Sequence, residues 1–317
     1  MTNFLRAWRE LLFWVLYGMV SLLSRLPFSI WYRISDVVAA LVWYVVRYRK
    51  KLVIRNLSRC FPAAAPQDIQ QIARTFYTHL CDVLVETIKG ATLSDPETRR
   101  RATLMNPEVM DTFAANGKSA LVLTSHYGNF EYLGTVMSFA QAAGRFQAWA
   151  VYSGFKGSAF ERVLIRIRTR RGLKLIPMHQ ALQQVSALLR QSRQLICMVI
   201  DQSPSRQKRL HFSPFLGQSS AYHTSAAYLA LKSGCPLYVF EMKKPERGFY
   251  QIWMHEVDTS TYMPCTPETI RALTDHLADL LARPILAEPA WWLWSHNRWK
   301  HQPREGDTVT PVPQSLS

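Results

Sequence analysis

The chain has 317 residues, with Lys+Arg 38 against Asp+Glu 22, a formal charge of +16 and a pI near 9.9. That length accommodates one large domain, or a domain with an appendage. The charge calls for an anionic partner, whether lipid headgroups, an acidic carrier protein or nucleic acid. Trp 10, 12% aromatic and 48% hydrophobic residues favour membrane contact among these. The five cysteines, Cys60, Cys81, Cys197, Cys235 and Cys265, form no C-x-x-C and exclude a disulfide-stapled fold. They read as reduced thiols of a cytosol-facing protein.

Taken in order, Leu11 to Leu23 is strongly apolar, preceded by Arg6, Arg9 and Glu10 and followed by Arg25. It is shorter than the roughly 20 residues of a spanning helix, lacks a small-residue cleavage site before Pro27 and is read as an uncleaved anchor. Ile30 to Val46 is a second apolar run, ending in Arg47-Tyr-Arg-Lys-Lys51 and Arg55. Its basic end suits anionic headgroups, so a helix lying in the interface is expected, on the cytoplasmic side. Residues 1–55 thus form a membrane-anchoring region, and Asn56 to Pro66 is expected as a loop.

Gln67 to Lys89 has helical periodicity, with Ile69, Ile72, Phe76, Leu80, Val83, Leu84 and Ile88 sharing much of one face. His79 and Glu86 within it are read as structural. A helix over Glu108 to Ala115 follows, and Asn116-Gly117 turns the chain into Ser119 to Thr124, a compact aliphatic run read as a buried strand.

His126 stands where that strand runs out, ahead of Gly128, Asn129 and a helix from Glu131 to Ala143. Asn129 suits an N-cap, and the Glu131 carboxylate suits the positive end of the helix dipole. On one continuous helix His126 and Glu131 would diverge by about 140°. Split across strand end, turn and helix start they can meet, and Glu131 would then fix the tautomer of His126 while the other ring nitrogen takes a proton.

Ala148 to Tyr152 is another strand. Ser158 to Arg171 is a basic helix, His179 to Arg193 a further helix, and Gln194 to Ile200 a buried strand ending at Asp201-Gln202. Asp201 either holds Arg168 of the basic helix or caps a turn. His211 to Gly217 is followed by an expected helix over Ser219 to Ala230, strands at Cys235 to Phe240 and Gly248 to His255, and a helix over Glu268 to Leu281. Beyond Lys300 the polar, proline-containing residues 301–317 are expected as a loose tail.

His126-Tyr-Gly-Asn-Phe-Glu131 resembles the H-x4-D/E block of the glycerolipid acyltransferase superfamily, and its filling is similar to the late lipid A acyltransferases. Arg171-Gly172 resembles the exit of the second block. The resemblance therefore implies an arginine role for Arg168, with Arg170 and Arg166 as alternatives, either clamping phosphate or steadying an oxyanion. Asp201-Gln202 resembles that family's Asp-Gln element, and Phe215 and Gly217 match its aromatic-Gly loop near the acceptor. His223 departs from the pattern. Trp291 to Lys300 looks like the W-L-H-R-R-F/W-K ending, with Asn297 at the first arginine.

Alternating strands and helices point to an α/β fold, a mainly parallel sheet flanked by helices, with N-terminal membrane-anchoring helices. The resemblance implies the glycerolipid acyltransferase fold over 56–300. It also implies acyl transfer from acyl carrier protein to a hydroxyl of a lipid A precursor at the inner membrane, with no cofactor or metal. His126 and Glu131 would be catalytic; Asn129, Arg168, Arg170, Asp201, Phe215 and Gly217 would bind substrate. The alternatives are another membrane lipid as acceptor, a lysophospholipid or aminoacyl lipid, or a membrane-associated thioesterase or hydrolase. No recognised nucleic-acid module is present, and without a G-x-S-x-G elbow a covalent serine ester is not expected.

Overall fold

The computed structural model describes residues 2–142, 146–154, 157–205 and 209–313. Ala143, the expected end of the helix from Glu131, and residues 314–317 lie outside the described residues. A seven-stranded sheet forms the centre. In chain order its strands are β1 (Ala102–Leu104), β2 (Ala120–Thr124), β3 (Gln147–Tyr152), β4 (Lys174–Pro177) and β5 (Gln194–Val199). The chain then makes a separate hairpin, β6 (His211–Phe215) and β7 (Gln218–Tyr222), before β8 (Leu237–Glu246) and β9 (Phe249–Glu256) complete the sheet. Its order is β1-β9-β8-β2-β5-β3-β4, parallel throughout except for the β8–β9 hairpin.

β2 lies between β5 and β8, and all five of its residues are buried. Burial on both faces explains why its sequence is a continuous aliphatic run without alternation. The chain leaves β2 toward β3 on one side and leaves β5 toward β8 on the other. Diverging connections of this kind open a crevice at the carboxyl edge of a parallel sheet.

The N-terminal part is helical: α1 (Thr2–Leu23), α2 (Phe28–Ala40) continuing through a π-helical stretch Leu41–Val46, α3 (Lys50–Cys60) and α4 (Pro66–Lys89). The expected boundary at 55/56 falls inside α3, whose Val53, Asn56 and Leu57 are buried, so the loop begins only at Phe61. Trp14, Met19 and Leu22 of α1 and Val37, Leu41, Val45 and Val46 of the second helix are exposed, with Arg47, Arg49, Lys51 and Arg55 at its end. Phe28–Val46, 19 residues, is long and apolar enough to cross a membrane. In α1 any 18-residue stretch takes in Arg6, Arg9 and Glu10. The second apolar run, expected to lie in the interface, therefore has the length and composition of a span, and α1, expected as the anchor, does not.

The remaining helices are α5 (Asp95–Arg101), α6 (Glu108–Asn116), α7 (Glu131–Ala142), α8 (Ala159–Thr169), α9 (Ala181–Leu189), α10 (Ser225–Ser233) and α11 (Pro267–Ala287). Two expectations fail locally. Residues Ser219 to Tyr222 are strand, not helix, because Leu216 and Gly217 both adopt positive φ, 53° and 71°, and fold β6 back against β7. The tail is also tied down: β10 (Thr308–Val309) pairs with β6, and Thr308 and Thr310 hydrogen-bond His211 and Asp275.

Helix α4 carries a buried polar network toward the sheet's active edge. Glu86, 1% exposed, accepts from Asn129 Nδ2 at 2.6 Å, Tyr250 OH at 2.9 Å and Tyr32 OH of α2 at 3.0 Å. Burial lifts its carboxyl above the ordinary range, against the opposing pull of Asn129, Lys244 and Tyr250. One turn away, Asp82 takes Ser35 of α2 at 2.7 Å and Arg247 at 2.6 Å. His79 donates through Nε2 to the Gly128 carbonyl at 3.2 Å and accepts from Lys244 Nζ at 3.3 Å.

Burial and then the Lys244 charge push His79 down to about 3, so it stays neutral in the fold while an unfolded histidine titrates near 6.5. Between those values the unfolded state binds the extra proton. Stability is thus lost as pH falls from about 6.5 toward 3, at about 1 kcal/mol per pH unit from this residue. His79→Gln should flatten that slope, read as the pH dependence of the urea midpoint in detergent. Glu86→Gln gives an amide where three donors converge, and is expected to cost about 1–3 kcal/mol by the same measurement.

Candidate active site

The register of two strands creates the site. Thr124 of β2 lies opposite Val199 of β5, and Ile200 N–H continues the ladder to the Thr124 carbonyl. Two residues beyond each member of that pair stand His126 and Asp201. Asp201 Oδ1 lies 2.8 Å from His126 Nδ1, and Asp201 Oδ2 accepts the His126 backbone N–H at 2.9 Å. The Trp292 indole N–H also donates to Oδ2, at 2.7 Å.

Asp201 is 1% exposed. Burial opposes its ionisation, but the His126 charge and the hydrogen bonds from His126 and Trp292 outweigh it and hold the carboxyl below its ordinary value. An ionised carboxylate only accepts, so the proton of neutral His126 sits on Nδ1 and Nε2 presents a lone pair. Gln202 Nε2 faces that lone pair at 3.2 Å and donates to it. The His126 side chain is 19% exposed, with the Phe130 ring edge-on at 4.8 Å. It is an accessible base held by a buried acid.

Glu131 does not hold the imidazole, contrary to expectation. Its two oxygens accept a fork from Arg168, Nε at 2.8 Å and Nη2 at 2.5 Å. The physical reason is competition: β5 delivers Asp201 directly to Nδ1, while α8 brings a guanidinium of matching shape to Glu131. By the same geometry Asp201 neither holds Arg168 nor serves merely as a turn cap.

The other expected residues divide. Asn129, 1% exposed, donates to Glu86 and accepts the Glu131 backbone N–H at 3.1 Å, so it ties the turn to α4. Arg170 donates to the Gly90 carbonyl at 2.6 Å from the exposed side of α8, and Arg166 is exposed. Phe215 is 1% exposed and packs against Trp292 at 5.6 Å, which leaves it no free face for substrate; Gly217 serves the β6–β7 turn. His223 is exposed just past β7.

Gly128, between base and helix, has φ 60° and sits so close to Met242 Sδ that a Cβ there would collide with it. Its N–H donates to the Trp291 carbonyl at 2.9 Å. Beside Glu131 and Arg168 lies a cavity of about 30 Å³, lined also by Glu86, Thr87 and Thr135. That is room for water, not for a fatty chain.

The sequence reading missed Trp292 and Gln202 as members of the site. Gln202 adjoins a residue already singled out. Trp292 lies 91 residues from Asp201, and only its place in the aromatic tail motif marked it.

The chain matches the model of the bacterial lipid A biosynthesis acyltransferases over residues 2–301. It is 21% identical over 297 residues to a lipid A biosynthesis palmitoleoyltransferase of Escherichia coli (strain K12), covering 93% of each chain. It is 22% identical over 296 residues to a lipid A biosynthesis lauroyltransferase of the same strain, again covering 93% of each. A lipid A biosynthesis acyltransferase of Shigella flexneri is 21% identical over 297 residues. With the family model spanning nearly its whole length, this chain belongs to the bacterial lipid A biosynthesis acyltransferase family.

Proposed function

We propose that the protein transfers a fatty acyl group from the thioester of acyl carrier protein to a hydroxyl of a lipid A precursor, at the cytoplasmic face of the inner membrane. The observation that carries this reading is the His126–Asp201 pair, with Nε2 left as the free base at an accessible edge of the sheet. In the reaction Nε2 takes the proton of the acceptor hydroxyl, displacing Gln202. The oxygen attacks the thioester carbonyl, the C–O bond forms, the C–S bond breaks, and the departing thiolate recovers the proton from Nε2. Transfer is direct, with no covalent enzyme ester and no cofactor.

Asp201 stabilises the imidazolium that forms in that step. Glu131 is a positioning residue that aims Arg168, whose remaining donors can meet a phosphate or the developing oxyanion. The exposed apolar surfaces of α1 and of Phe28–Val46, rimmed by arginine and lysine, fit an anionic bilayer that supplies the lipid acceptor. The net charge of +16 also favours encounter with an acidic carrier protein.

With labelled acyl carrier protein and a lipid A precursor, His126→Ala should abolish product, and Asp201→Asn should lower kcat by about 10²- to 10⁴-fold with the fold intact. Glu131→Gln should cost about a hundredfold and add nothing in an Arg168→Lys background. Free acid released at full rate without any acceptor would replace this reading with a hydrolase, and preferred use of lysophospholipid would change the acceptor. Val37→Glu with Val45→Glu should remove the protein from vesicles containing anionic lipid in a flotation assay, while the wild type floats with them.

A further inference from the structure

The tail motif from Trp291 to Lys300 lies against the catalytic turn as a strap. Tyr127 and Trp292 form an antiparallel bridge, Gly128 N–H donates to the Trp291 carbonyl at 2.9 Å, and Leu293 N–H donates to the carbonyl of His126 itself at 3.2 Å. The strap is anchored farther back. Asn56 Nδ2 donates to the Trp294 carbonyl at 3.0 Å, and Trp299 Nε1 donates to Ser220 Oγ at 2.7 Å.

Trp292 is 1% exposed, and its ring is fixed by Phe215, by Trp294 at 4.8 Å and by Trp299 at 6.1 Å. Packing against those three rings sets where the indole N–H points. Here the indole N–H is spent on Asp201 Oδ2 at 2.7 Å, the oxygen that does not face the imidazole. Oδ2 is thereby held by both the strap and the His126 backbone, which restricts the carboxylate's rotation about its last bond.

The geometry points to Trp292 as a positioning residue for acyl transfer, acting through Asp201 to hold the His126 ring in its working orientation. The inference rests on the reading that His126 and Asp201 carry the chemistry. Removing the indole proton leaves Oδ2 of a buried carboxylate with a donor fewer, so the group can rotate about its last bond and carry Oδ1 off Nδ1. Partners of this outer kind cost 10- to 100-fold in activity elsewhere, so a loss of about that size is expected.

The test is a double-mutant cycle with Trp292→Phe and Asp201→Asn, assayed with acyl carrier protein thioester and a lipid A precursor. A Trp that acts through Asp201 predicts that Trp292→Phe lowers kcat about 10- to 100-fold with little change in KM. It also predicts that the double variant is no slower than Asp201→Asn alone. Losses that multiply would overturn the inference while leaving the His126–Asp201 pair in place, because a packing defect is indifferent to the carboxylate. Full activity of Trp292→Phe would overturn it as well. Full activity of Asp201→Asn would instead remove the underlying mechanism, and the inference with it. Should Trp292→Phe fail to fold, benzothienylalanine at position 292 keeps the ring's shape and lacks only the N–H; it must reproduce the same non-additive loss, and wild-type turnover with it would refute the role.

Discussion

One buried carboxylate organises the carboxyl edge of the sheet at β2 and β5. Asp201 lies almost wholly out of water and would be costly there as an unpaired charge. It is satisfied by donors from two segments far apart in sequence, the end of β2 and the strap that follows α11. His126 supplies both a backbone and a ring donor, so one residue is gripped at two points and its imidazole loses most of its freedom. The grip depends on register. Because Thr124 pairs with Val199, equal steps past each strand bring residues 126 and 201 together. A slip of one residue would turn their side chains to opposite faces.

A second buried carboxylate, Glu86, performs the same office one layer deeper. It receives Asn129 from the catalytic turn, Tyr250 from β9 and Tyr32 from α2. Asn129 in turn accepts the backbone N–H of Glu131 at the start of α7. A helix whose outer face is apolar and exposed is therefore braced, on its inner face, to the residues that shape the turn. Arg247 reinforces the brace by bridging Asp36 of α2, at 2.6 Å, and Asp82 of α4. Such fully partnered networks resist local loosening, because freeing any member strands another without a partner.

The sequence disclosed what local pattern can encode. The unbroken aliphatic runs of β2 and β5 mark strands buried on both faces, and a histidine and an aspartate just past them mark the sheet's functional edge. It could not disclose which acid faces which base. Glu131 is five positions from His126 and looked like its partner, whereas Asp201 is 75 positions away and becomes the partner only through strand pairing. Trp292 carried no local sign of its target, since nothing in a Trp-rich segment says which indole meets a carboxylate. The aromatic-Gly loop was legible as a motif but not as a shape: Phe215 and Gly217 fit a family pattern, and strand pairing makes them a packed ring and a tight hairpin turn.

The pairing adopted is also the one that leaves no charge stranded. Were Glu131 to orient His126, Arg168 would lose the acceptor of its fork and Asp201 would be a buried anion without the imidazole, each an expensive orphan. With Asp201 on His126 and Glu131 on Arg168, every group has a complement before substrate arrives. The consequence is chemical as well as structural. In the proposed step, once Gln202 has given way and Nε2 has accepted a proton, the new positive charge forms on a ring whose far side already touches the Asp201 carboxylate. The guanidinium is held apart on its own carboxylate and does not compete for Asp201. In the proposed reaction, separation of the His126–Asp201 and Arg168–Glu131 pairs would let one site stabilise a cation on its base while keeping a cationic fork for an anionic group of the substrate.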